Sequence, residues 1–415
     1  MRFMITMRFM IKGALLLMPM IALATPAFSQ ARPVGLSDSQ EPGSVIIFPK
    51  FINMPAVTVD GVSAVRTEIE IGAICPPLSG FARNEVGCPE HQPVKVRFHW
   101  VCPGTENVNS NICRETDFDV VLSVNGKLAF SADGTQINSN SPIVPAAPCA
   151  RGYLLGWVIR ATDDAPIKYD GLIGNAVIRG PNLAAGPDAG SSTAVSAYNA
   201  VTIQADPAIA VQNPTPAVPG VAVPLGAGGA LSFGVPGGYT TVTGAQIGDV
   251  RFDKTTPGSP LPNVLSRTSL TFLTLDVRSN QPNKPTFVNL DFWNESNGNA
   301  VGSTAPQFEH LTSTFTEFVC WAQVPLSALA GGNLTQSFQQ TRKGVVIAGP
   351  AEKISDGNAP SDASGPVTLI GLVETIEGTA ANNFYERKYN FNMSTNGYPQ
   401  RTNFVPLGAT VIYAP

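Results

Sequence analysis

Three residues in one short stretch have the types and spacing to hold a carbohydrate. Asp291, Trp293 and Glu295 stand at alternate positions of TFVNLDFWNE. On an extended strand, Asp291 and Trp293 therefore project from the same, non-core face. An indole ring on that face can stack on a sugar ring, and the neighbouring carboxylates can accept hydrogen bonds from its hydroxyls. The competing reading is a Trp293 ring packed under a loop or against another domain. Trp100, in the run VKVRFHW, is the second aromatic candidate.

Paired carboxylates are also what glycoside hydrolysis requires. The available pairs are Asp163-Asp164, Asp117 with Asp119, and Asp291 with Glu295. Asp163-Asp164 precedes Ala165-Pro166 and reads as turn chemistry. Asp117 and Asp119 share a strand face and could bind a cation, although the wet side of any strand looks the same. General bases near neutral pH are usually histidines, and the chain has 3. His99 falls on the polar face of its strand beside Arg97, which reads as solvated. His91 lies in a loop, and His310 follows Glu309 in a polar stretch.

The more specific catalytic signatures are missing from the sequence. There is no H-E-x-x-H, no G-x-x-x-x-G-K-[ST] and no G-x-G-x-x-G after a strand. Ala230-Leu231-Ser232-Phe233-Gly234 comes nearest to a nucleophile elbow, but Val235-Pro236-Gly237-Gly238 follows where a helix must begin. No C-x-x-C occurs and the histidines are scattered, so neither a metal nor a cofactor is expected. The sequence leans away from an enzyme. A carboxylate-based polysaccharide-active enzyme is the weakest of the readings it leaves open.

Composition narrows the partners. Only 13% of the 415 residues are charged, against about 25% for an ordinary domain. With 26 bases, 30 acids and a net charge of -4, the chain lacks the basic face that nucleic acid requires. The first residues read as a signal peptide over 1–29. Arg2, Arg8 and Lys12 form its basic end, Gly13 to Ala24 its apolar stretch, and Ala27-Phe28-Ser29 its small-residue cleavage site. Cleavage there removes those three positive charges and no acid, taking the net charge from -4 to -7. No later apolar run lasts 18 residues without Pro or charge, so no transmembrane helix remains after cleavage. The protein is expected to be exported to the periplasm, the cell surface or beyond.

All six cysteines, Cys75, Cys88, Cys102, Cys113, Cys149 and Cys320, lie past the leader. An even number in an exported chain favours disulfides. Six cysteines allow 15 pairings. Cys75–Cys88 and Cys102–Cys113 each bracket a Gly/Pro/Asn-rich loop, so local pairing is expected for both. Cys149 is then left for Cys320, a bond that would tie the two halves of the chain together.

The elements that must position these residues are strands. Val94, Val96, Phe98 and Trp100 alternate with Lys95, Arg97 and His99, and Thr67, Ile69 and Ile71 with Arg66, Glu68 and Glu70. Val120, Leu122 and Val124 end at Asn125-Gly126, which reads as a type I′ hairpin with Lys127 to Phe130 returning. Helical periodicity is confined to a turn or two at Leu326 to Ala330. The second half replays the first. Leu273 and Leu275 stand for Ile69 and Ile71, Val288, Leu290 and Phe292 for Val94, Val96 and Phe98, and Val367–Val373 for Leu154–Ile159. Between the halves, Gly180 to Val250 has no Lys or Arg, and NPTPAVPGVAVPLGAGG is too rich in Pro and Gly for a helix or a central strand.

The resulting expectation is an all-β fold of two tandem β-sandwich, immunoglobulin-like domains. An N-terminal sandwich spans 30–205, a Pro/Gly-rich linker or surface excursion 206–262, and a C-terminal sandwich 263–415. The strand at Gly43-Ser44-Val45-Ile46-Ile47-Phe48-Pro49, with TEIEIG, VKVRFHW, Gly152-Tyr153-Leu154-Leu155 and Leu172-Ile173-Gly174 after it, resembles uncharacterised exported bacterial proteins with a Gly-Ser-aliphatic-Phe-Pro first strand. That resemblance implies an exported all-β domain with immunoglobulin-like strands, and carries no activity or site residues with it. The function expected is a non-enzymatic envelope or extracellular protein, an adhesin or structural subunit that self-assembles or binds another envelope protein. The alternative is binding of a carbohydrate polymer.

Overall fold

A computed structural model describes residues 41–54, 65–75, 93–104, 112–181, 193–206, 209, 222–225, 230–233, 238–240, 246–251, 264–275, 277, 286–296, 307–329, 343–351, 369–379, 383–390, 392–393 and 410–411. The expected signal peptide lies outside them. The first sandwich is built from β1 (Val45–Met54), β2 (Val65–Ala73), β3 (Pro93–Val101), β4 (Glu115–Ser123), β5 (Gly126–Ser131), β6 (Arg151–Ile159), β7 (Leu172–Pro181), β8 (Thr193–Asn199) and β9 (Val201–Ile203). One leaf runs β4-β3-β6-β1, with β9 on the far side of β1. The other runs β5-β2-β7-β8. The leaves join where Asn53 and Met54, at the end of β1, pair with β2.

After the short β10 (Leu231–Ser232), the second sandwich uses β11 (Gln246–Arg251), β12 (Val264–Thr274), β13 (Thr286–Ser296), β14 (Gln307–Phe318), β15 (Trp321–Pro325), β16 (Lys343–Ala351), β17 (Leu369–Thr379), β18 (Asn383–Asn390) and β19 (Asn392–Met393), before β20 (Thr410–Val411) pairs with β10. Its leaves are β14-β13-β16-β11-β19 and β15-β12-β17-β18. Strand for strand, this is the order of the first sandwich, so the chain is a tandem repeat of one topology. β11 falls within the stretch 206–262 read as linker. As in immunoglobulin domains, the third strand pairs with the sixth; unlike them, the seventh joins the leaf of the second strand.

Cross-strand register corrects how the sequence aligned the halves. Ile71 faces Gly174 and Phe272 faces Gly371. That sets Arg66-Thr67-Glu68-Ile69-Glu70-Ile71 against Arg267-Thr268-Ser269-Leu270-Thr271-Phe272, and Leu172-Ile173-Gly174 against Leu369-Ile370-Gly371. Val367–Val373 therefore matches β7, and the counterpart of β6 is β16. Arg151-Gly152 and Lys343-Gly344 open those two strands. Gly152 is required because a Cβ there would lie 2.1 Å from the Val101 carbonyl oxygen.

Within the leaf β4-β3-β6-β1-β9, the strands β6, β1 and β9 are buried on both sides. Ile46, Phe48, Leu154 and Val158 face the interior of the first sandwich. Val45, Ile47, Tyr153, Leu155, Trp157, Ile159, Val201 and Ile203 face a second core. That core is completed by Ile209, Val223, Phe233 and Tyr239 from the connecting segment and by Leu273, Leu275, Val319, Trp321 and Ile370 from the second sandwich. Leu273 and Leu275 thus point away from their own sandwich, whose core is filled by Leu270 and Phe272. At about 2 kcal/mol per side chain, exposing the eight outer residues of the leaf would cost on the order of 15 kcal/mol. The connecting segment and the second sandwich share that cover, so each contributes to holding the first sandwich together.

Two disulfides differ from the expected pairing. Cys102 bonds Cys149, 47 residues on, and Cys113 bonds Cys320, 207 residues on. Cys102 follows β3 in phase with Trp100 and Phe98, which face the first core. Cys113 precedes β4 in phase with the opposite face, and lies in the second core. Alternation therefore puts the two sulfurs on opposite sides of the leaf, and the local Cys102–Cys113 bond cannot close. Cys75 is also disulfide-bonded; the expected Cys75–Cys88 pair involves Cys88, which lies outside the described residues.

The Asn125-Gly126 turn is likewise a different device from the hairpin it resembles. Asn125 takes φ 60° and its N–H donates to the Ala73 carbonyl at 2.6 Å. β4 pairs with β3 and β5 with β2, so the turn carries the chain across the sandwich. Leu122 and Phe130 then meet in one core from opposite leaves. The helical turn expected after Pro325 is a 3-10 turn, Leu326–Ala328.

Polar groups also fasten the two sandwiches. Lys50 on β1 and Glu374 on β17 form a buried ion pair. Gln323 donates to the same carboxylate at 3.3 Å, and the Trp321 indole N–H donates to the Pro49 carbonyl at 2.8 Å. Lys168 reaches the connecting segment, donating at 2.9 Å to the carbonyls of both Asp206 and Ile209. Glu374→Ala is expected to destabilise by about 3–5 kcal/mol because it strands the Lys50 ammonium in the interior, whereas Lys50→Met with Glu374→Leu should cost far less. Urea titration of the single and double variants measures both.

Candidate functional site

The densest array of charge-bearing side chains among the described residues lies on β3 and β4. Alternation places Lys95, Arg97 and His99 on one face of β3, and Glu115, Asp117 and Asp119 on the same face of β4. Antiparallel register sets Arg97 opposite Asp119, His99 opposite Asp117, and Val101 opposite Glu115. A basic row therefore meets an acidic row, the favourable arrangement for cross-strand pairs.

At the upper end of this ladder the Arg97 guanidinium donates to both oxygens of Asp119, at 3.0 and 3.3 Å. Lys95 Nζ lies 2.9 Å from the same carboxylate. Asp164, in the turn after β6, accepts from Lys95 at 2.7 Å and from Arg97 at 3.0 Å. Burial pushes the Asp119 carboxyl up, but the hydrogen bonds from Arg97 and Lys95 outweigh it and hold the group below its ordinary 3.8. Asp164 is lowered by its bonds to Lys95 and then Arg97.

At the lower end the ladder turns inward. His99 is 0% exposed and its ring stacks on Trp157, with centroids 4.6 Å apart and planes 13° from parallel. Its Nδ1 lies 2.7 Å from Asp117 Oδ1 and 3.6 Å from Glu115 Oε2. Burial alone would lower this imidazole; the adjacent Asp117 and Glu115 carboxylates prevail and its pKa is raised above 6.5. The three donor atoms lie within 4.8 Å of one another. Asp117 is 49% exposed at its side chain, so the cluster is sealed on the imidazole side and open on the carboxylate side. The array stabilises a positive charge there, carried by a proton or by a cation.

The residues expected to form a site are placed differently. Trp100 is 0% exposed, T-stacked on Phe51 in the first core, with its indole N–H donating to the Pro145 carbonyl at 3.0 Å. Its ring faces no solvent, so it offers no platform for a ligand. Asp291 is buried as well, at 7%, contrary to its expected place on an open face. Trp293 and Glu295 lie on β13 opposite His310 and Phe308 of β14; their side chains lie outside the described set. Register also links the two regions: His99 faces Leu155 on β6 and Asp291 faces Ile347 on β16. With Gly152 matched to Gly344, Asp291 occupies the position in the second sandwich that His99 holds in the first.

His99 is not solvated because its face, wet at Asp117, Asp119 and Lys95, is covered at the His99 end, where the ring lies against Trp157 of β6. A signal for the cluster was nonetheless present. Lys95, Arg97 and His99 and then Glu115, Asp117 and Asp119 are two like-signed rows of the same period, and a connection between them lays one against the other.

No protein-family model and no curated protein matches the chain. Among solved structures it is similar to the N-terminal tandem CBM22-1–CBM22-2 domain of Xyn10C from Paenibacillus barcinonensis. Identity is 10%, coverage is 80% of this chain and 94% of that chain, and the TM-score is 0.16. A lectin from Pleurotus ostreatus, in complex with GalNAc, is similar at 8% identity, with coverage of 90% and 91% and a TM-score of 0.10. At those TM-scores neither similarity bears on fold or ligand. The strand pairing by itself defines the class, an all-β chain of two tandem β-sandwiches.

The Asp119 shift makes a pH dependence. Because the folded carboxyl binds its proton less readily than the unfolded one, its contribution is complete above the unfolded value and is lost as pH falls through the folded value. Asp119→Asn is therefore expected to cost about 1 kcal/mol at neutral pH and progressively less as pH falls below the unfolded carboxylate value. Urea unfolding across that range checks the convergence of the two curves.

Proposed function

We propose that the protein is exported and acts without catalysis through its surfaces, as an adhesin or a structural subunit of an envelope or extracellular assembly. The observation that carries this reading is the Cys113–Cys320 bond across a shared apolar core. Tandem domains joined by a linker usually move against each other. Here a covalent bond, a buried ion pair and a continuous core make the pair one rigid body, as a protein that transmits load or presents a fixed surface requires. Disulfides persist in oxidising compartments, in keeping with an exported chain.

The test is the assembly state of the oxidised protein, by light scattering after size exclusion with electron microscopy of the largest species. Filaments, sheets or a closed oligomer are the expected outcome for a structural subunit. A clean monomer at every concentration removes the self-assembly form of the proposal.

A second reading, binding of a carbohydrate polymer, is supported by the register of β13 and β14. Trp293 stands opposite His310 and Glu295 opposite Phe308, an aromatic and acidic set at one end of a strand pair. Trp293→Ala is expected to weaken retention on an insoluble polysaccharide about tenfold while the melting temperature holds, a loss of about 1.4 kcal/mol. Unchanged retention removes this reading.

A further inference from the structure

We propose that His99, Asp117 and Glu115 form a binding site for a divalent ion of the zinc class. The donor set is mixed, one imidazole nitrogen and two carboxylate oxygens. A nitrogen donor favours zinc and its neighbours over calcium and magnesium, which take oxygen ligands. Catalytic-type zinc sites use three protein donors and leave one position open.

The geometry fits an ion of that size. Zinc binds nitrogen and oxygen at about 2.0–2.2 Å, so a tetrahedral ion holds its donors about 3.3–3.5 Å apart. The Nδ1 to Asp117 and Nδ1 to Glu115 separations, 2.7 and 3.6 Å, straddle that spacing. An ion seated among them would need only a small opening of the Asp117 contact, and Asp117 is the donor whose side chain is half in solvent. The open coordination position then lies on the solvent side.

The second observation is the preparation of the imidazole. A histidine with no exposed surface, its Nδ1 2.7 Å from one carboxylate and 3.6 Å from another and its ring held flat against Trp157, is a donor whose position is fixed before any ion arrives. The strands beneath are fixed as well. Cys102, directly after β3, is bonded to Cys149, and Cys113, two residues before Glu115, is bonded to Cys320. Sites on rigid, pinned elements hold metal geometry better than sites on loops. The neighbouring rung does not oppose a cation, because Arg97 and Lys95 are engaged by Asp119 and Asp164. The two carboxylates of the site supply the charge that balances a divalent ion.

The test uses the full, oxidised protein without a polyhistidine tag, stripped with a chelator and titrated with zinc chloride by calorimetry, with cobalt(II) absorption as the second readout. One saturable zinc site per chain is expected, with a cobalt spectrum of low coordination number. Asp117→Asn and His99→Gln should each weaken binding by about tenfold or more. Glu115→Gln should do the same, and far-ultraviolet circular dichroism confirms that each variant is folded. Calcium chloride should give no saturable heat. Absence of saturable zinc binding to the wild-type protein overturns the proposal. So does zinc binding that survives in the folded Asp117→Asn and Glu115→Gln variants at wild-type affinity, which would place the ion elsewhere.

Discussion

A stretch of sheet that is apolar on both faces must be covered twice, and β6, β1 and β9 together are of that kind. One cover is the rest of its own sandwich. The other is drawn from the connecting segment and from the second sandwich, which turns Leu273, Leu275 and Trp321 outward to meet it. Much of the molecule follows from this single requirement. The connecting segment can be nearly free of charge because most of its described residues, Ile209, Val223, Phe233 and Tyr239 among them, lie in a core. Charged groups that do enter the junction arrive in pairs, as Lys50 and Glu374 do, since an ion left alone in such a place would cost more than the contact returns.

The two sandwiches share strand order but divide the labour of their positions. Thr67 and Thr268 are matched and both are buried, a repeat of structural detail. His99 and Asp291 are matched and chemically unlike, and across the strand pair Asp117 faces His99 where Ser313 faces Asp291. Among the described residues, the imidazole–carboxylate cluster therefore occurs in the first sandwich only. A topology used twice has kept its packing residues and changed the polar ones on the outer leaf.

The class of fold was legible because period-two alternation is a local property, and so were the strands and the replay of one half by the other. The errors share one physical origin. Alternation tells which residues face together and is silent on what covers a face. Alternation alone thus points His99 and Asp291 toward water, although both are buried. Pairing was the second gap. Asn125-Gly126 gave the right backbone conformation, φ 60°, yet a turn of that kind serves a crossing between leaves as well as a hairpin. The disulfides were misassigned because proximity along the chain was weighed above phase along the strand. Trp100 was placed correctly on the apolar face of β3 and still entertained as a ligand platform, two roles that one buried ring cannot hold.

The bond between Cys113 and Cys320 has a consequence for how the protein is made. A ribosome delivers the chain from its N-terminus, and domains fold as they appear. The whole first sandwich, residues 45–203, is complete in the chain before Cys320 exists. During that interval Cys113 is a thiol without its mate, on a face of sheet still lacking its cover, with Cys102 only a loop away and chemically eligible. Correct maturation depends on β3 and β4 pairing early enough to hold those two sulfurs on opposite sides. Phase along β3 and β4 thus keeps the wrong cysteine out of reach of Cys113.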